Sequence, residues 1–200
     1  MSSLLLNNHS PIDQMKIEAG DKSFPIWLIA NPKYPDDISN IWNPIMYEIQ
    51  DKVYRKLRAR INSRNIFILS AFSDIGKICN TSMEEELTKK ILILKESVYR
   101  YQPKLLITFG AITNEYIKRA FDQGSEGQTK YWNTGNLSNE FEQAIANFDI
   151  NRPNCIPLVR RISKTANIKD WVDQDNYYYD VATKIAERII ENKDHLEIWI

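Results

Sequence analysis

The sequence predicts an α/β domain built around a parallel sheet. Two observations carry this. Short, nearly continuous apolar runs recur along the chain, and between them lie longer segments whose apolar residues return at helical spacing. Strand-helix alternation three times over implies parallel strands joined by crossover helices. A length of 200 residues suits one domain with a sizeable core better than two small ones.

Residues 1–22 mix polar residues with Pro11 and Gly20 without a sustained period, and read as an N-terminal extension ahead of a single domain over 23–200. Phe24 to Ala30 is almost uninterruptedly apolar and stops at Asn31-Pro32, the pattern of a strand buried on both faces. Asn43 and Pro44 suit the N-cap and first turn of a helix in which Ile45, Ile49, Val53, Leu57 and Ile61 repeat every four residues. Ile66 to Leu69 is a second buried strand, followed by a loop with Ser73, Asp74 and Gly76. Thr81 and Ser82 stand three residues before Glu84 and Glu85, which predicts a capping box for a helix carrying Leu87, Ile91, Leu94 and Val98.

Pro103 stops that helix, Leu105 to Phe109 is the third strand, and Ala111 to Phe121 reads as a helix with Ile112, Tyr116 and Ile117 inward. Residues 122–139 hold Gly124, Gly127 and Gly135 among polar residues, a loop long enough to suspect function or disorder. A short helix follows around Phe141 to Phe148. Cys155 to Val159 is the fourth strand, leading into the basic segment Arg160 to Lys164. Asp175 or Asn176 caps a last helix with Val181, Ala182, Ile185, Ala186 and Ile189 as its buried stripe, and Leu196 to Ile200 alternates like an edge strand.

Composition narrows the function. Lys and Arg balance Asp and Glu at 26 each, which excludes a protein that coats nucleic acid or a membrane by bulk charge, so any anion site is local. The two histidines, His9 and His195, lie near the ends, which rules out a mid-chain catalytic or zinc-binding histidine cluster unless a terminus folds back. Cys79 and Cys155 fit no metal-ligand spacing and read as free buried thiols. No secretory signal and no membrane span is visible, so a soluble cytoplasmic protein is expected. Neither a dinucleotide fingerprint nor a P-loop occurs, and neither a cofactor nor a metal is expected. The acidic run Glu84-Glu85-Glu86 is explained by capping and the helix dipole rather than by a nuclease metal site.

In an open parallel sheet, ligands bind beyond the carboxyl ends of the strands, where helix N-termini present unpaired N–H groups. The candidate segments are therefore Asn31 to Tyr34, Ser70 to Asp74, Gly110 to Asn114 and Arg160 to Lys164. Along Lys52, Arg55, Lys56, Arg58, Arg60 and Arg64 runs the densest positive segment, a solvated helix face or a phosphate track. Tyr177, Tyr178 and Tyr179 face a base or a partner, with at least one ring in the core.

From Pro25 to Ile190 the order of strand ends, together with Asn31-Pro32 and the stretch TSMEEELTKKILILKESVYRYQPKLLITFG from Thr81 to Gly110, resembles the uracil-DNA glycosylase superfamily. The resemblance implies a three-layer α/β/α fold with a central, mainly parallel four-stranded sheet, and a role in DNA repair. It also implies site residues. Asn31 stands where the family positions a water beneath the sugar; an Asn carbonyl orients water without being a strong base. The alternative is that Asn31 opens an Asx-type turn before Pro32.

Tyr34 would stack on a flipped base or pack its ring into the fold. Ser70 falls where the family reads the base edge with an Asn, and offers only a hydroxyl. Arg160 or Arg161 falls where the family has a His that stabilises the departing base; a guanidinium donates to a carbonyl or a phosphate equally well, or makes surface salt bridges. Ser163 would donate to a DNA phosphate. The resemblance thus implies a divergent glycosylase-like protein that binds DNA or a nucleotide-like ligand and cleaves an N-glycosidic bond. Its alternative is a catalytically inactive member of the fold that binds DNA or a protein partner.

Overall fold

A computed structural model describes residues 18–31, 38–70, 81–121, 136–159 and 177–200. They form an α/β fold whose mixed sheet has five strands rather than four: β1 (Glu18–Ala19), β2 (Ile26–Ala30), β3 (Phe67–Ser70), β4 (Leu105–Phe109) and β5 (Asn154–Leu158), in the order β1-β3-β2-β4-β5. β2, β3, β4 and β5 pair in parallel, as the alternating pattern predicts. β1 is the addition, and it pairs antiparallel with β3 through Glu18↔Leu69 and Ala19↔Ile68. Two residues are too few for a period to show in sequence. The signal that was present is Gly20, whose φ of 83° and close approach to the Ile66 carbonyl leave no room for a side chain: a Cβ would lie 2.0 Å from that oxygen.

Each central strand is buried on both faces, so successive residues enter different cores. Ile26, Leu28, Leu105, Ile107, Phe109, Ile156 and Leu158 pack under α1 (Ile38–Leu57), α4 (Leu137–Ala146) and α5 (Tyr177–Glu191). Trp27, Ile29, Phe67 and Leu106 pack under α2 (Thr81–Tyr101) and α3 (Ala111–Ala120). The result is three layers. The crossover through α1 moves one way along the sheet and that through α2 the other, and right-handed connections put helices for opposite directions on opposite faces.

Three expected boundaries move. α1 begins at Ile38, not after Asn43, so Pro44 lies inside the helix and forfeits the bond to the Asn40 carbonyl. The apolar stripe outweighs that loss, because Ile41 is buried one turn ahead of Ile45. At the other end α1 stops at Leu57, where Arg58 takes a left-handed φ of 55° and its N–H bonds to the Tyr54 carbonyl. Ile61 is therefore buried outside the helix, in an antiparallel bridge to Trp199. The closing segment joins residues 60–62 through Asn62 N–H to the Ile198 carbonyl and Ile200 N–H to the Arg60 carbonyl, apart from the main sheet whose edge it was expected to form. Finally, α4 starts at Leu137, inside what reads as loop in the sequence. The expected caps at Thr81, Ser82, Asp175 and Asn176 involve side chains or positions outside the described residues. The stripe of α5 is buried as its spacing predicts.

Candidate functional site

Between β2 and β4, neighbouring parallel strands send their chains away from each other, β2 toward β3 and β4 toward β5. There the chain leaves β2 toward α1 on one face and leaves β4 into α3 on the other, the topology at which open α/β sheets take a ligand beyond the carboxyl ends of the strands. Asn31 follows β2 at this point and is half-buried. Register fixes its neighbours, since Ala30 lies opposite Ser70 on one side and opposite Phe109 on the other. Gly110 thus stands level with Asn31 on one side, and Ser70 stands level with Ala30 on the other. Ser70 is 9% exposed, at the end of β3.

Gly110 makes the turn into α3 with φ 100° and ψ 151°, a region essentially closed to residues with a side chain, and its N–H bonds to the Leu158 carbonyl at 2.7 Å. That bond ties the end of β4 to the end of β5. One residue further along β5, the Val159 N–H donates to the hydroxyl of Tyr177 at 3.0 Å. Burial pushes the Tyr177 hydroxyl well above its ordinary pKa, so it stays a neutral acceptor that pins the strand end to the start of α5. Of the three consecutive tyrosines, Tyr177 is in the core, Tyr178 meets its edge with ring centroids 5.4 Å apart, and Tyr179 is exposed. One ring in the core was the expectation, and the helix phase selects which.

Behind the start of α3 lies a polar cluster that spacing did not reveal. Thr108 and Cys155 both donate to Asn114 Oδ1 at 3.4 Å; the Asn114 amide donates to Glu140 Oε2 on α4; Lys118 closes the set at 2.5 Å from Glu140 Oε1. These groups hold α3 and α4 against the ends of β4 and β5. Burial pushes the Cys155 thiol up to about 12, so it stays protonated and a poor nucleophile. It is a free thiol, in keeping with its reading from the sequence. The one visible cue to the cluster was a Thr inside an otherwise apolar strand.

The remaining candidates divide by position. Tyr34, Arg160, Arg161, Ser163 and Cys79 lie outside the described residues, though Arg160 directly follows Val159. Across the sheet, β4 alone separates Asn31 on β2 from Val159 on β5, two strand spacings or about 10 Å. The basic segment is elsewhere. Lys52, Arg55, Lys56 and Arg58 occupy the second half of α1 and its end, which descends away from the strand carboxyl ends toward the amino end of β3. Arg58 and Arg60 approach the ring of Tyr54 at 5.7 and 5.1 Å, and Arg55 pairs with Asp51 at 2.8 Å. His195 sits in a single 3-10 turn (Lys193–His195) beyond α5, at that same far end. Of the acidic run on α2, Glu85 is exposed.

Among the described residues no group of three or more His, Cys, Asp and Glu is placed to hold a metal, and no helix is long and apolar enough to cross a membrane. No protein-family model matches the sequence, and no curated protein matches it.

Proposed function

We propose that this chain is a divergent glycosylase-like protein that takes a base of DNA, or a nucleotide-like ligand, into the crevice between the ends of β2 and β4 and hydrolyses its N-glycosidic bond. The observation that carries the reading is the position of Asn31, half-buried at the end of the central strand where the connections diverge. In the proposed reaction the Asn31 carbonyl accepts a hydrogen bond from a water and holds it against C1′ of the sugar. The water oxygen bonds to C1′ as the C1′–N bond breaks, and the departing base keeps the electron pair. An amide cannot take up the released proton, which passes to solvent. Arg160 or Arg161, following β5, would donate to the departing base or to a phosphate; Tyr34 would stack on the base, and Ser163 would donate to the DNA backbone.

The test is a panel of oligonucleotides carrying uracil, hypoxanthine, xanthine and modified pyrimidines, incubated at stoichiometric protein and assayed for abasic product. Cleavage of one of them, lowered on the order of 10²-fold by Asn31→Ala, is the expected result. No abasic product from any substrate overturns the enzymatic reading.

A second reading, an inactive binding module, draws on Ser70. At the base-reading position it offers one nearly buried hydroxyl in place of a paired donor and acceptor, and the histidine that is described lies at the other end of the sheet. On this reading the protein binds DNA without cleaving it, with affinity that falls on Arg160→Ala or Arg161→Ala and declines with salt. Binding to neither DNA nor nucleotides would point instead to a protein partner.

A further inference from the structure

We infer that the groove between α1 and α5 is a self-association surface, on which a second copy of this chain docks about a two-fold axis running along the groove. The groove has a volume of about 760 Å³ and runs between the second half of α1 and α5. Both helices start at the carboxyl end of the sheet, so they run side by side in the same direction.

The walls differ in net sign. On α1 the groove is lined by three cations, Lys52, Arg55 and Lys56, with the two carboxylates Glu48 and Asp51, and on α5 by the carboxylates Glu187 and Glu191. Lys56 and Glu187 make no ion pair among the described residues. Arg55 and Glu191 have partners on their own helices, Asp51 and Arg188; the Arg55–Asp51 pair is exposed and exchanges at little cost.

This difference in net charge decides the occupant. A uniformly basic or uniformly acidic partner is disfavoured by one wall. A fitting partner carries both signs side by side at the same separation, and the groove itself is such a surface. In a face-to-face dimer the two-fold axis lies in the interface. An axis along the groove exchanges the walls, so the basic α1 wall of each copy meets the acidic α5 wall of the other; an axis across the groove would set like charges together. The same operation keeps height along the groove, which brings the two copies of Tyr179 level. Tyr179 is 57% exposed, under the ammonium of Lys52 at 3.3 Å from its ring centre, and tyrosine is a residue type enriched at interfaces. A net charge of zero leaves no overall repulsion between copies.

Sedimentation velocity on the full chain between about 1 and 100 µM tests this. The expected result is a dimer that weakens with rising salt. Arg55→Glu/Lys56→Glu makes both walls acidic and Glu187→Lys/Glu191→Lys makes both basic, so each double variant is monomeric alone and an equimolar mixture restores the dimer. Far-UV circular dichroism reports whether each variant folds; if one does not, the salt titration of the unaltered chain decides. Monomer at all concentrations, which would leave the groove to a different polypeptide, overturns the proposal. So does a dimer indifferent to salt or to both double variants, or a mixture that fails to pair.

Discussion

Phe109 and Thr108 are neighbours in β4, yet they belong to two different cores. Phe109 enters the continuous apolar packing beneath α1, α4 and α5, whereas Thr108, equally buried, points to the side of α2 and α3 and donates to Asn114. The first core is apolar and close-packed apart from the Tyr177 hydroxyl, so its worth is set mainly by area removed from water. The second combines Trp27, Ile29 and Tyr116 with Thr108 and Asn114, part of a polar cluster that runs through Cys155 and Lys118 and reaches Glu140 on α4. The difference separates two jobs. Apolar area holds the fold together; the polar cluster ties α3 and α4 to the ends of β4 and β5.

The largest effect expected from this contrast comes from Phe109→Ala, which should cost about 3–5 kcal/mol in a urea unfolding measurement. A loss below about 1 kcal/mol would mean that the first core collapses around the gap, and the contrast would fail. Asn114→Ala removes an amide hydrogen bond to a charged carboxylate and should cost about 1.5–3 kcal/mol. Its effect should be strongly non-additive with Glu140→Ala, because both disrupt one cluster; simple additivity would break the cluster apart as a unit. Gly110→Ala forces a side chain into φ 100°, for about 1–3 kcal/mol. Since Gly110 bonds to Leu158, hydrogen exchange should speed up at the ends of β4 and β5 and stay unchanged in α1.

The smallest effect is confined to alkaline solution. The Cys155 thiol is raised by burial from an ordinary value near 9 to about 12. Above about pH 9 the unfolded chain releases this proton and the folded chain keeps it, so the unfolded state binds fewer protons and stability falls as pH rises toward about 12. Tyr116 and Tyr177, both raised by burial, act in the same direction at higher pH. Urea midpoints at about pH 8 and about pH 10.5 should therefore differ, and Cys155→Ala should shrink the difference. Equal midpoints in the unaltered chain would show the thiol to be hydrated.

Much of this fold can be read from the chain alone, for a local reason. The runs at Ile26, Phe67, Leu105 and Cys155 appear as strands because burial on both faces demands unbroken apolar residues, and α5 appears because one helix face repeats at 3.6 residues. The start of α1 does not, because local capping chemistry favours Asn43-Pro44 while the burial of Ile41 prevails in the folded molecule. Ile61 continues a four-residue spacing but meets Trp199, a contact with a sequence separation no local pattern contains. Within the site, Asn31 is legible as the end of a strand. The Asn114–Glu140 link joins two helices and is not.

By itself the sequence determined the α/β class, the parallel strands and the carboxyl-end segments where a ligand can bind, since periodicity and breaker residues act over a few positions. Tertiary structure alone decided the strand order and with it the diverging strand ends beside Asn31, the fifth strand at Glu18–Ala19, the polar cluster around Asn114, and the groove that gathers Lys56 and Glu187 from α1 and α5. Each of these is a relation between residues far apart in the chain. It comes into being only when the apolar faces have closed on one another, and nothing in the local pattern states which residues that closure brings together.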